Sequence, residues 1–324
     1  MKKTLFVCCA LALALGAQAQ WKPVGDKIKT PWSEQVNPAN VLPEYPRPQL
    51  ERGDWQNLNG EWEYAIKPVG DVEPATFDGK ILVPFAVESS LSGVQKEVGE
   101  NSELWYKRTF SVPSAWKNKD IMLNFGAVDW KADVFVNDIL IGSHKGGFTP
   151  FSFNITPYLT GKNNQKLVVR VWDPSDKGYQ PRGKQTSRPE GIWYTPVTGI
   201  WQTVWLEAVA PSGIDRVKYV TDIDRNTVSM EFTMRRNASG NSGIVTVKLL
   251  DKGQVVASAK GVQGKELRLS VQNPTLWSPS NPYLYDMTVS LSKDGKVLDE
   301  VKSYTAFRKI SSKRDAAGIM RMQL

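Results

Sequence analysis

The chain has 324 residues, 41% of them hydrophobic and 23% charged. That composition excludes an intrinsically disordered or collagen-like chain, supplies apolar material for a sizeable core, and suits two domains better than one. The net charge is +8, but Lys and Arg are interspersed with Asp and Glu and form no long basic run. A nucleic-acid-binding role is therefore not expected. Aromatic residues make up 10% of the chain and include 12 Trp. A flat indole can stack on the C–H face of a pyranose or simply fill a sandwich core, and composition leaves both roles open.

The first residues read as an export signal. Lys2 and Lys3 precede an apolar stretch from Leu5 to Leu15 that is too short to span a bilayer, and Ala17-Gln18-Ala19 has the small-x-small pattern of a cleavage site. The mature chain is expected to begin at Gln20, in a bacterial periplasm or outside the cell, with no membrane span. Both cysteines, Cys8 and Cys9, fall inside the signal. The mature chain then has no disulfide, no thiolate nucleophile and no cysteine-ligated metal.

Residues 20–54 carry Pro23, Pro31, Pro38, Pro43, Pro46 and Pro48. This composition predicts an extended N-terminal strap. From residue 55 onward strand follows strand, and no window shows helical periodicity. Leu104 to Val112 is rich in aromatic and β-branched residues. Ala132 to Ile141 is a hairpin turning at Asn137-Asp138, residues that tolerate positive φ. Leu167 to Trp172 and Gln202 to Val209 are further strands. Residues 55–210 are expected to form a jelly-roll β-sandwich.

Pro211-Ser212-Gly213 marks a boundary. Beyond it, Thr227 to Met234 alternates apolar and polar residues, while Asp251-Lys252-Gly253 and Lys293-Asp294-Gly295 turn two hairpins. Short strands at this spacing predict an immunoglobulin-like sandwich over residues 211–308, without an intradomain cysteine pair. Residues 309–324 form a short stub.

The ordered segments resemble glycoside hydrolase family 2, the group of β-galactosidases, β-glucuronidases and β-mannosidases. The resemblance runs from Leu58 to Ile310. It rests on Leu58-Asn-Gly-Glu-Trp62, on Val83-Pro84 with Glu88-Ser89, and on Leu104 to Pro113. It continues through Phe125 to Trp130, His144 to Phe151, Gly199-Ile-Trp-Gln-Thr-Val-Trp-Leu-Glu207, Trp277-Ser-Pro with Asn281 to Tyr285, and Phe307 to Ile310. It implies an all-β fold of a jelly-roll sugar-binding domain and an immunoglobulin-like domain, preceding a catalytic (β/α)8 barrel that is absent from this chain.

Retaining glycoside hydrolysis uses two carboxyl groups about 5–5.5 Å apart. In the family both are glutamates of the barrel, the acid/base following an Asn, and this chain has no Asn-Glu dipeptide. No catalytic residue is therefore expected here. Glu61 and Glu63 share a strand face but read as solvated positions. The sole histidine, His144, has no Ser or Cys partner motif, and no metal or cofactor is expected.

The segment from Gln180 to Trp201 gathers Arg, Lys, Glu, Trp and Tyr between two strands. Arg and Glu can hydrogen-bond sugar hydroxyls, and Trp and Tyr offer stacking faces. The resemblance implies that the matching loop reaches towards the active site and can supply an acidic residue to substrate. That position is not cleanly reproduced: Glu190 is the nearest acid, and Trp193 is a candidate for its place. Arg182, Glu190, Trp193 and Tyr194 are the candidate contacts to a carbohydrate substrate; the alternative is that the loop only docks the sandwich onto the barrel. The function expected is the N-terminal part of a β-galactosidase-like hydrolase, inactive alone. A stand-alone exported carbohydrate-binding protein is the alternative, and an exported structural or adhesive sandwich a third. Sugar specificity and oligomeric state stay open.

Overall fold

The computed structural model describes residues 21–235 and 243–324, so the expected export signal lies outside the described residues. Those residues are all-β: strands joined by turns and a few short 3-10 segments, with no α-helix among them. No helix among them is long and apolar enough to cross a membrane, which says nothing of a β-barrel.

The first sandwich packs a six-stranded sheet on a four-stranded one. The larger sheet runs in the order Gly79–Val83, Gly60–Pro68, Ser102–Phe110, Gln165–Trp172, Lys131–Val136 and Ile139–Lys145. The smaller runs Trp55–Asn57, Val204–Val209, Asp120–Phe125 and Phe151–Asn154. The two-residue period of a strand decides which side chains meet between the sheets. On Ser102–Phe110, Leu104 and Tyr106 join the main core, as do Leu167, Val169 and Val171 of the neighbouring strand. The intervening Trp105 and Val168 turn to the opposite face and form a small cluster with Ala65. Trp62 and Phe125 are among the largest fully buried side chains; truncating either to Ala would cost about 3–5 kcal/mol. This sandwich is the jelly roll anticipated above.

The second sandwich packs Ile214–Asp222, Thr227–Met234 and Leu267–Ser270 on Gln254–Val262, Ile244–Asp251, Tyr285–Lys293 and Lys296–Thr305, in immunoglobulin-like fashion. Its hairpins turn at Lys252-Gly253 and Asp294-Gly295, all four residues having positive φ, as do Asn137 and Asp138 in the first sandwich. Ser311–Arg314 and Met320–Gln323 pair as a final hairpin.

The strap is extended apart from two 3-10 turns, Pro31–Gln35 and Pro48–Leu50. It binds both sandwiches. Asn57 and Asn59 side chains donate to the Val41 carbonyl at 3.1 and 3.2 Å, Leu50 enters the second core, and Glu51 bridges to Lys302. The seam between sandwiches is ionic. Arg52, 4% exposed, pairs with Glu207 at 3.4 Å and with Asp299, and also donates to the Ile214 carbonyl. Glu207 further accepts from Tyr45, Arg47 and Trp205 at 2.6–3.1 Å.

Candidate functional site

The long loop from Asp173 to Thr198 leaves the sheet at Trp172 and returns at Gly199–Ile200, a short strand whose register pairs Gly199 with Asp129. Gly199 has φ +92°, and a Cβ there would sit 2.1 Å from the Tyr106 hydroxyl oxygen. Only glycine allows this approach, and it lets the Ile200 N–H donate to Tyr106 at 3.2 Å.

Three buried carboxyl groups hold the loop from beneath. Glu88 accepts from the Thr198 N–H at 3.0 Å. Asp129 accepts from the Gln185 side-chain amide at 3.1 Å, and the same amide's oxygen accepts from the Val197 N–H at 2.6 Å. Asp173 accepts from the Ser175 N–H at 2.8 Å and from the Thr198 hydroxyl at 3.4 Å. Burial pushes Glu88 up to about 7 against the opposing hydrogen bonds from Thr198. Burial, then the nearby Asp173 charge, pushes Asp129 up to about 7. Burial also raises Asp173. Closely spaced carboxyls in low dielectric resist ionisation, so at neutral pH this cluster is partly protonated and works as a hydrogen-bonded anchor.

Towards solvent, the loop is tied by Asp176. Its carboxylate accepts from the Thr186 hydroxyl at 2.9 Å and from the Ser187 hydroxyl and N–H at 3.0 and 3.1 Å. Desolvation opposes ionisation there, but the Ser187 and Thr186 hydrogen bonds prevail and hold the group down to about 2. Gln185 and Tyr194 bridge the two arms of the loop.

The four candidate contact residues are divided by this geometry. Trp193 and Tyr194, 42% and 62% exposed, line one cavity of about 410 Å³ with Pro189, Val197, Glu88 and Ile28. Lys184 lies over the Tyr194 ring at 5.8 Å. Arg182 and Glu190 line no part of that cavity. Arg182 donates to the Asp176 carbonyl at 2.8 Å, a loop-internal bond, and Glu190 is exposed, its carbonyl accepting from the Trp193 N–H at 2.9 Å. His144 stacks on Phe151 at 4.1 Å. Among the described residues no cluster of three or more His, Cys, Asp or Glu has a metal-binding arrangement.

The Glu88–Asp129–Asp173 group converges from three separate stretches of chain, which spacing along the sequence does not reveal. One local signal was available. Asp173 follows directly on the largely buried strand Gln165–Trp172, and an acid that is buried there needs hydrogen-bonding partners.

The jelly roll, the immunoglobulin-like sandwich and the anchored aromatic loop define a two-sandwich module with an apolar cavity at one loop. Family models described as "Glycosyl hydrolases family 2, sugar binding domain" and "Glycosyl hydrolases family 2" match residues 55–208 and 213–308. The chain belongs to glycosyl hydrolases family 2. It is 28% identical over 276 residues to a β-galactosidase of Thermoanaerobacter pseudethanolicus, an alignment covering 81% of this chain and 36% of that protein. It is 27% identical over 286 residues to a β-glucuronidase of Paenibacillus borealis, covering 82% and 47%. The solved structure of Lactobacillus rhamnosus β-glucuronidase superposes with a TM-score of 0.65 at 29% identity, covering 83% of this chain and 47% of that one. The chain thus spans less than half the length of these relatives.

Proposed function

We propose that this chain is the exported N-terminal region, a strap and two sandwiches with domain limits near residues 55, 211 and 308, of a retaining glycosidase of the β-galactosidase type, and that the whole protein hydrolyses terminal β-linked sugars. The observation carrying this reading is the continuous likeness to β-galactosidases and β-glucuronidases across both sandwiches. The catalytic glutamates belong to a further domain. In support, the carboxyls of Glu88, Asp129 and Asp173 are buried and bonded to the loop they anchor, whereas retaining chemistry needs one carboxylate free to attack an anomeric carbon.

In this reading the Gln180–Trp201 loop contributes an aromatic wall to the substrate site through Trp193 and Tyr194, and Arg182 holds the loop's shape. Cleavage of a signal near Ala19 delivers the protein to the periplasm or exterior. Incubated with nitrophenyl β-galactoside, β-glucuronide and β-mannoside, the 324-residue chain alone should give no turnover above blank. Clear turnover of any of them would overturn the assignment of the chemistry to another domain.

A further inference from the structure

The outer face of the six-stranded sheet carries a second cavity, of about 400 Å³, sharing no lining residue with the Trp193–Tyr194 cavity. We propose that it binds an anionic sugar unit, a pyranose bearing a carboxylate or a sulfate. Its walls include the two indoles Trp130 and Trp172, with Tyr179 fully exposed at the rim. The Trp172 indole N–H donates to the Glu100 carbonyl at 2.8 Å. That bond fixes the ring by its edge and leaves its face for a ligand. A volume in the ordinary range for small-ligand sites, aromatic walls and a few polar groups suit a sugar ring.

The charge follows from sheet register. Trp172 pairs with Lys131, and Lys131 pairs with Lys145, so indole, ammonium and ammonium form one row across three adjacent strands. Like charges directly opposite each other on a sheet destabilise it. An anion over the row would relieve that repulsion. The nearby carboxylates are already engaged. Asp133 takes a 2.7 Å bond from Arg170 and another from Ser143, leaving Lys131 at 3.6 Å. Glu103, also in the wall, accepts from the Gly70 N–H at 3.3 Å and faces Arg170 at 3.8 Å. Lys145 is exposed and forms no ion pair among the described residues. The lining residues therefore hold two cations, Lys131 and Lys145, against one carboxylate, Glu103, and the surplus charge is positive.

Calorimetric titration of the 324-residue chain tests this with three probes: an oligogalacturonate, a sulfated galactan oligosaccharide and a neutral xylo-oligosaccharide. At least one anionic probe should bind with a Kd between about 1 μM and 1 mM, its affinity falling with added salt; which one identifies the anionic group. Lys145→Glu should weaken that binding about tenfold or more, and the charge-matched Lys260→Glu, exposed on the second sandwich, should leave it unchanged. Lys145→Glu should also melt no lower than the parent, because it removes the repulsive lysine pair. Failure of both anionic probes, equal binding of the neutral probe, or undiminished binding by Lys145→Glu would each overturn the proposal.

Discussion

Replacing Glu88 by Gln probes the anchor beneath the loop with little change of shape. Glutamine keeps a side-chain oxygen to accept the Thr198 N–H now held at 3.0 Å, yet cannot ionise. Burial lifts the Glu88 carboxyl to about 7, whereas in the unfolded chain it titrates near its ordinary value of 4.5. The folded state therefore binds the proton more tightly. The stability this contributes is full below the unfolded value and is lost as pH rises through about 7. Between about pH 5 and about pH 8 the loss from this one group is on the order of 2–3 kcal/mol. Asp129, also raised to about 7, acts in the same direction; Asp173 and Tyr106, both raised by burial, complete the titratable surroundings.

Urea unfolding at a series of pH values, followed by tryptophan fluorescence, measures the effect. Trp277 is the single tryptophan between residues 211 and 308, so the signal reports mainly the first sandwich. The difference in stability, Glu88→Gln minus parent, should rise by about 2–3 kcal/mol across that range. A difference independent of pH, or one that falls as pH rises, would refute the protonated-anchor reasoning.

Other substitutions test other joints. Arg52→Ala leaves Glu207 and Asp299 at the seam short of a buried partner, and should lower stability by about 3 kcal/mol; an unchanged urea midpoint would mean the seam is not held by this network. Gly199→Ala combines positive φ with a clash against the Tyr106 hydroxyl, and should cost roughly 2–4 kcal/mol, seen as a lower Tm. Trp193→Ala, at an exposed ring, should shift stability by less than about 0.5 kcal/mol while raising KM for a nitrophenyl β-glycoside in the longer enzyme; an unchanged KM would assign the loop to docking alone.

Strand and turn chemistry made much of the fold readable in advance. Asn137-Asp138, Lys252-Gly253 and Asp294-Gly295 turn where residues that tolerate positive φ predict them, and the alternation in Thr227–Met234 puts Val228, Met230 and Phe232 into the second core. The strap and the aromatic loop were less legible, because their shapes depend on partners distant in sequence. Arg52 meets Asp299, and Gln185 meets Asp129, only after folding. The same limit applies to the site. Trp193 and Tyr194 were visible as aromatics in a loop, but nothing local distinguished them from Arg182, which the fold turns onto the Asp176 carbonyl within the loop. Nor could spacing alone show that Trp172, Lys131 and Lys145 lie side by side, a fact of sheet register across three strands.

The proposed function places these two sandwiches in a retaining glycosidase whose catalytic glutamates lie in a further domain. The most direct test is proton NMR of the first sugar released from nitrophenyl β-galactoside or β-glucuronide by the product of a reading frame continuing past codon 324. The expected result is release of the β-anomer first, followed by mutarotation. Release of the α-anomer first, or a stop codon directly after Leu324, would contradict the claim.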